Sequence, residues 1–228
     1  MSEKDGQQAQ AAASATVKKL VKAIDANPQD AQLIYQLATV LTEMQDYEQA
    51  EELLMKMLGQ FHSDLAATDL LTYGLGNVYY QAAAYDQAAQ MFAKVQTDQR
   101  KLDAYLMLAE TYMQQKDYQK AFAFALTVHD QRATDPAVNA LLGDILLAMG
   151  NFHQAADFYD QALAKQASDG QLNFNRGLVA MALGQDEQPF MAQAKKLDPA
   201  YVAQSAQRIN DIATLIHKHE PADHDEEQ

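Results

Sequence analysis

Apolar and small residues recur along this chain in a fixed order. Leu37-Ala38, Leu75-Gly76, Leu108-Ala109 and Leu142-Gly143 are each followed, nine residues on, by an aromatic: Tyr47, Tyr85, Tyr118 and Phe152. Three residues beyond these stand Ala50, Ala88, Ala121 and Ala155. The aromatics are 38, 33 and 34 residues apart, a period that marks stacked supersecondary units and not one large core. Each unit reads as two helical segments broken briefly at Gln45-Asp46, Ala83-Ala84, Lys116-Asp117, Gly150-Asn151 or Gly184-Gln185. Breaks this short force the two helices to lie antiparallel. The pattern predicts an all-α chain of about five helix hairpins, over residues 30–62, 68–100, 104–133, 136–167 and 168–198.

The ends follow the same logic. Val17, Leu20, Val21 and Ile24 give one apolar face, closed by Asn27-Pro28, which reads as half a repeat covering the first full one. Pro199 opens a last periodic segment with Val202, Ala206, Ile209, Ala213 and Ile216 on one face, the pattern of a capping helix over 199–219. One solenoid domain over 9–219 is therefore expected. It lies between a frayed tail at 1–8 and an acidic, disordered tail at 220–228 that holds five carboxylates. Two irregularities are expected. The first spacing is four residues longer than the last, with the excess near Gly59 to Thr68 as an extended turn or helix end. The fifth hairpin lacks its aromatic and carries Asp186 to Pro189 instead, so distortion is expected there.

The small residues Ala38, Gly76, Ala109, Gly143 and Gly177 on first helices, and the alanines on second helices, let paired helices approach closely. Leu37, Leu41, Leu75, Tyr79, Leu108, Tyr112, Leu142 and Leu146 fill the layer around them, each worth about 1.5–3 kcal/mol when buried. With Leu75-Gly76-x-x-Tyr79, Tyr85-x-x-Ala88-x-x-x-Phe92, Gly150-x-Phe152-x-x-Ala155-x-x-x-Tyr159-x-x-Ala162 and Asn173-Phe174-Asn175-Arg176-Gly177-Leu178, the chain resembles the tetratricopeptide repeat family from about Asn27 to Pro199. The resemblance implies a right-handed α-solenoid whose first helices line a concave face. It assigns Tyr35, Thr39 and Thr42 to one strip of that face, Tyr73, Asn77 and Tyr80 to the next, and Leu106, Glu110 and Met113 to the third. Ala140, Asp144 and Leu147 follow, then Phe174, Leu178 and Met181. Family members that hold the carboxylate terminus of heat-shock chaperones use Lys, Asn and Arg on these strips. Here Asn77 matches an Asn, but no strip carries Lys or Arg, so that activity is not expected.

What the strips offer is an acidic and apolar groove suited to a protein or peptide segment with apolar anchors and basic residues. Three occupants fit it: a peptide or protein partner, the chain's own C-terminal helix, or a second copy in a homodimer. Fold alone does not choose among them.

Composition narrows the field. Seventeen Lys and Arg against 31 Asp and Glu leave a formal charge of −14, which opposes nucleic acid and anionic lipid. With no Cys there is no thiol chemistry, and no apolar run approaches the roughly 18 residues a membrane helix requires. A polar start at Met1 to Gln10 completes the expectation of a soluble, cytoplasmic protein. His217, His219 and His224 with Asp223 and Asp225 show no ordered metal-ligand spacing, and no carboxylate pair faces a nucleophile or phosphate loop. Neither a cofactor nor a catalytic residue is expected. Interaction, as an adaptor, scaffold or chaperone-associated factor, is the function the sequence favours. A ligand-responsive regulator ranks last because no basic recognition helix is present.

Overall fold

The structure, a computed structural model, describes residues 3–210, with side-chain environments from Gln10 onward. The described residues form thirteen helices and no strand. They divide into an N-terminal unit, Met1–Phe124, and a C-terminal unit, Ala125–Gln228.

The N-terminal unit holds α1 (Glu3–Ala26), α2 (Ala31–Glu43), α3 (Tyr47–Gln60), α4 (Leu65–Gln81), α5 (Tyr85–Phe92), α6 (Asp98–Gln114) and the start of α7 (Tyr118–His129). Helix α1 packs on α2, α2 on α3 and α4, α3 on α4, α4 on α5 and α6, and α5 on α6. The C-terminal unit continues with α8 (Pro136–Ala148), α9 (Phe152–Leu163), α10 (Gly170–Ala182), α11 (Gln188–Leu197), α12 (Pro199–Gln204) and α13, described over 206–210. There α8 packs on α9 and α10, α9 on α10, and α10 on α11 and α12.

The hairpin reversals share one backbone device. Gln45, Ala83, Lys116, Gly150 and Gly184 all take positive φ, between 58° and 78°. Each donates its N–H three residues back, and the following residue donates five back, as in Gln45 to Thr42 and Asp46 to Leu41, both 2.9 Å. These bonds satisfy carbonyls that a helix end would otherwise leave open. At the opposite ends Asp30, Asp46, Asp64, Asp135, Asp169 and Asp198 accept backbone N–H groups as N-caps. Thr97 opens α6 without such a side-chain bond. Asp69 supplies it from α4, its Oδ2 accepting the N–H of Gln96 at 2.9 Å and Thr97 at 2.6 Å.

Ala50, Ala88, Ala121 and Ala155 are fully buried, and the leucines expected in the layer are buried with them. Tyr112 differs, remaining half-buried beside the stacked ring of Phe124. The small positions on first helices face large side chains. A Cβ at Gly76 would lie 2.5 Å from Phe92, at Gly143 2.7 Å from Tyr159, and at Gly177 3.0 Å from Met191. Met191 thus occupies in the fifth hairpin the place that aromatic rings take in the second and fourth.

Four expectations are corrected or refined. Residues 3–8, expected as a tail, are the first turns of α1. Of the two readings of the excess length near Gly59 to Thr68, the helix end holds and the extended turn does not. Helix α3 ends at Gln60 and Asp64 caps α4, so the extra residues lengthen α4 to 17 residues. The fifth hairpin keeps its reversal at Gly184, and its distortion is confined to the start of α11: Glu187 takes right-handed helical angles, ψ −15°, where the N-caps of α3, α5 and α9 have ψ of 62° to 64°, and Pro189 sits in the first turn. The capping helix is interrupted, since α12 ends at Ser205 before α13 resumes. The remainder of the expected cap, the acidic tail and the histidines at 217, 219 and 224 lie outside the described residues.

Candidate functional site

In the N-terminal unit the expected strips lie on α2, α4 and α6. Asn77 Nδ2 donates to Tyr35 Oη at 3.5 Å, linking α4 to α2. The same amide also acts on the Tyr73 hydroxyl, and Gln114 of α6 on that of Tyr80, each favouring the ionised phenol against the effect of burial. Tyr73 leans on Phe92 with ring centres 5.5 Å apart, and Tyr80 meets Tyr85 edge-on at 5.7 Å. Tyr35, Tyr73, Asn77, Tyr80, Leu106, Glu110 and Met113 are all half-buried: held in place, with part of each side chain at the surface.

Between α2 and α4 a cavity of about 340 Å³ is lined by Tyr35, Thr39, Thr42, Gly74, Asn77 and Gln81, among others. Gly74 helps make this space, because a Cβ there would approach Tyr35 Cδ2 to 3.0 Å. Thr39 and Thr42 return their hydroxyls to their own helix, to the carbonyls of Tyr35 and Ala38. The polar groups left to face the cavity are those of Tyr35 and Asn77 together with Glu43, Gln45, Tyr47 and Gln81.

The electrostatics of this face are anionic. Burial raises the Glu110 carboxyl above its ordinary value, and no described cation counters the rise. Tyr73 is pushed up to about 12, first by burial and then by Tyr35, Asp103 and Glu110. Tyr80 rises for the same leading reason, with Glu110 adding to it. Gln114 was not among the strip residues expected from sequence, although it follows Glu110 by one helical turn on the same face.

The C-terminal unit differs. Phe174 and Leu178 have no exposed surface and Leu147 only 5%, so these positions do not form an open groove. Tyr201 packs edge-on against Phe174, ring centres 5.6 Å apart, and the Arg208 guanidinium lies 5.8 Å from the same ring. Asp144, expected as a groove carboxylate, is engaged internally. Its Oδ1 accepts the Tyr159 hydroxyl at 2.5 Å and Asn175 Nδ2 at 2.8 Å. The residue keeps some exposed surface, but its carboxyl is desolvated enough that burial holds it above the ordinary carboxylate value despite those bonds and the Arg208 charge. Ala140 and Met181 are half-buried. Arg176, at a position where the other first helices carry Leu, pairs with Asp160 at 2.7 Å and stacks on Phe190 at 4.7 Å.

No helix among the described residues is long and apolar enough to cross a membrane. Residues 10–69 match one tetratricopeptide repeat family and residues 141–188 another. Residues 81–162 match the family described as anaphase-promoting complex, cyclosome, subunit 3. No curated protein sequence matches the chain. Among solved structures it is similar to Pseudomonas aeruginosa PilF, with 18% identity over 89% of this chain and 92% of that one and a TM-score of 0.68. BtubC from P. vanneervenii gives 16% identity over 92% of each chain and a TM-score of 0.62. YrrB, described as a TPR protein with an unusual peptide-binding site, gives 20% identity over 83% and 97% and a TM-score of 0.60. At these identities the likeness is one of fold. Folds of this kind serve as protein–protein interaction scaffolds and are in general non-catalytic. The repeat matches at both ends, the left-handed hairpin turns and the small-residue seams agree, and the chain is a tetratricopeptide repeat protein.

Proposed function

We propose that the protein binds a peptide or protein segment on the face formed by α2, α4 and α6, and that the segment carries apolar anchors and at least one basic residue. The observation that carries this reading is the tyrosine, asparagine and glutamate cluster of Tyr35, Tyr73, Asn77, Tyr80 and Glu110. A hydrogen bond joins α2 to α4 within it, the Glu110 charge on α6 is felt at Tyr73 and Tyr80, and the whole cluster is half-buried. Glu110 is partly desolvated before any ligand arrives. A cation from the partner would find an acceptor that water solvates poorly, so a charge-assisted hydrogen bond there gains more than at an open surface. The tyrosine rings offer apolar area at low entropic cost, and the Asn77 amide has both a donor and an acceptor for a peptide main chain. Leu106 and Met113 extend the apolar part along α6, with Met able to adapt to more than one side chain. In the cell the role is that of an adaptor or scaffold.

The test is fluorescence polarisation against labelled peptides that differ in aromatic and Lys/Arg content, with wild type and with a Tyr80→Ala, Glu110→Lys variant. Asp144 is left unchanged because its carboxyl is held by Tyr159 and Asn175. Basic, apolar peptides should bind wild type and lose on the order of tenfold or more in the variant, while its melting curve is retained. If the variant binds the same peptides equally well, the assignment of this face is wrong.

A further inference from the structure

In the C-terminal unit a buried polar cluster lies under a thin cover made by the chain itself. Asp144 Oδ1 accepts both the Tyr159 hydroxyl and Asn175 Nδ2. The second bond fixes which way the Asn175 amide points, because only its nitrogen can donate to a carboxylate. Its Oδ1 is then an acceptor with no donor, in a side chain only 6% exposed. Beside it Phe174 offers its ring to Tyr201, and Arg208 reaches over that ring while Nη1 donates to Tyr201 Oη at 2.8 Å. The Arg208 charge is felt at both Asp144 and Tyr159.

Among the described residues the cover is slight. Helix α12 has six residues and buries none of them, and the helix is broken at Ser205 before Arg208 is reached. Tyr201, Val202, Arg208 and Ile209 are half-buried, and only Ser205 is buried. Beneath it, Phe174 is wholly buried and Asn175 nearly so. The floor is thus better ordered by packing than the lid. An aromatic and an arginine, seven residues apart, supply its ring and charge contacts to the floor.

We propose that the Asp144, Phe174 and Asn175 face is a second peptide-docking site, held shut by the chain's own Tyr201 to Arg208 segment and opened by a partner helix that presents an aromatic side chain and an arginine about two turns apart. The cis segment shows the chemistry the floor accepts: a ring perpendicular to Phe174 and a guanidinium whose charge reaches Asp144. A guanidinium has five N–H donors in a fixed fork, enough to serve both Asp144 and the unmet Asn175 oxygen. A partner helix without the break at Ser205 would hold its arginine in one register with its aromatic, and so has more to gain than the cis segment. Binding in trans is weakened by the fraction of molecules in which the site is shut. This reading uses no residue of α2, α4 or α6, so it stands or falls separately from the first site.

The probe is a labelled peptide of this chain's own residues 199–210, added to the full-length protein. Full-length Tyr201→Ala, Arg208→Ala protein, whose cover is weakened, should bind it on the order of tenfold more tightly than wild type. The same peptide carrying R208A should lose that gain. Equal binding by wild type and variant overturns the proposal. A variant that loses its folded signal shifts the decision to hydrogen exchange on the wild-type chain. Saturating unlabelled peptide should then accelerate exchange of amides 200–209 while α10 stays protected. Exchange left unchanged by the peptide shows a permanent cap and overturns the proposal.

Discussion

Replacing Gly76 by Ala adds one methyl group where a Cβ has less room than at Gly59 or Gly74 in the same unit. The new Cβ would stand 2.5, 2.7 and 2.9 Å from Cε1, Cδ1 and Cζ of Phe92. Carbon atoms pack at about 3.5–4.0 Å, so the ring must retreat by about 1 Å. It has little room, being fully buried with the Tyr73 ring centre 5.5 Å away. Overpacking of this kind costs about 1–3 kcal/mol, and Ala in place of Gly inside a helix returns about 0.5–1 kcal/mol. The expected net loss is about 1–2 kcal/mol. Gly59 in α3 is the control, since a Cβ there meets nothing within 4 Å. Gly59→Ala should therefore stabilise by about 0.5–1 kcal/mol through the same helix preference. Urea unfolding followed by far-UV circular dichroism reads both variants. Hydrogen exchange of α4 and α5 amides localises the change, which matters because a repeat chain need not unfold in one step. Adding Phe92→Leu to Gly76→Ala should cost less than the two single changes together, by about 1 kcal/mol. The reasoning is refuted if Gly76→Ala is as stable as wild type, or if Gly59→Ala and Gly76→Ala shift the midpoint in the same direction.

Three further outcomes are expected. Asp69→Ala removes the acceptor for the N–H groups of Gln96 and Thr97 and should cost about 1–3 kcal/mol, with faster exchange at the start of α6 as the signature. At the turns, Ala83→Gly should stabilise and Gly150→Ala destabilise, each by about 1 kcal/mol, since φ is 58° at the first and 78° at the second; thermal melts of the pair check the opposite signs. Burial raises the Glu110 pKa, so the folded state holds its proton more tightly than the unfolded state. The contribution of this group to stability is greatest in acid and declines as pH rises from its ordinary value of 4.5 through the raised one. Glu110→Gln should remove that decline and be more stable than wild type at neutral pH, with the difference vanishing in acid when urea midpoints are compared across pH.

Much of the scaffold was legible because its signals are local. Tyr47, Tyr85, Tyr118 and Phe152 are the first residues of α3, α5, α7 and α9, and the alanines three residues on are buried without exception. The expected strips on α2, α4 and α6 stay half-exposed. Phe174 shows where such reading stops. Helical spacing puts it on the concave strip, and spacing is the same whether water or Tyr201 lies opposite. Asp69 was equally hidden: an acidic residue in a first helix reads as solvated, and the backbone it caps lies 27 and 28 residues further on. The early start of α6 at Asp98 extends beyond the repeating pattern, so no period announces it.

The left-handed turns carry one more implication. A hairpin reversal here is written in a backbone dihedral, and Gln, Ala, Lys and Gly all serve, so side-chain identity at those five sites can change at a cost of about 1 kcal/mol while helix register stays fixed. Because none of Gln45, Ala83, Lys116, Gly150 and Gly184 is buried, they form a ruler of equivalent addresses along the chain. A tag, a graft or a natural insertion placed at any one of them would leave the seams between helices untouched.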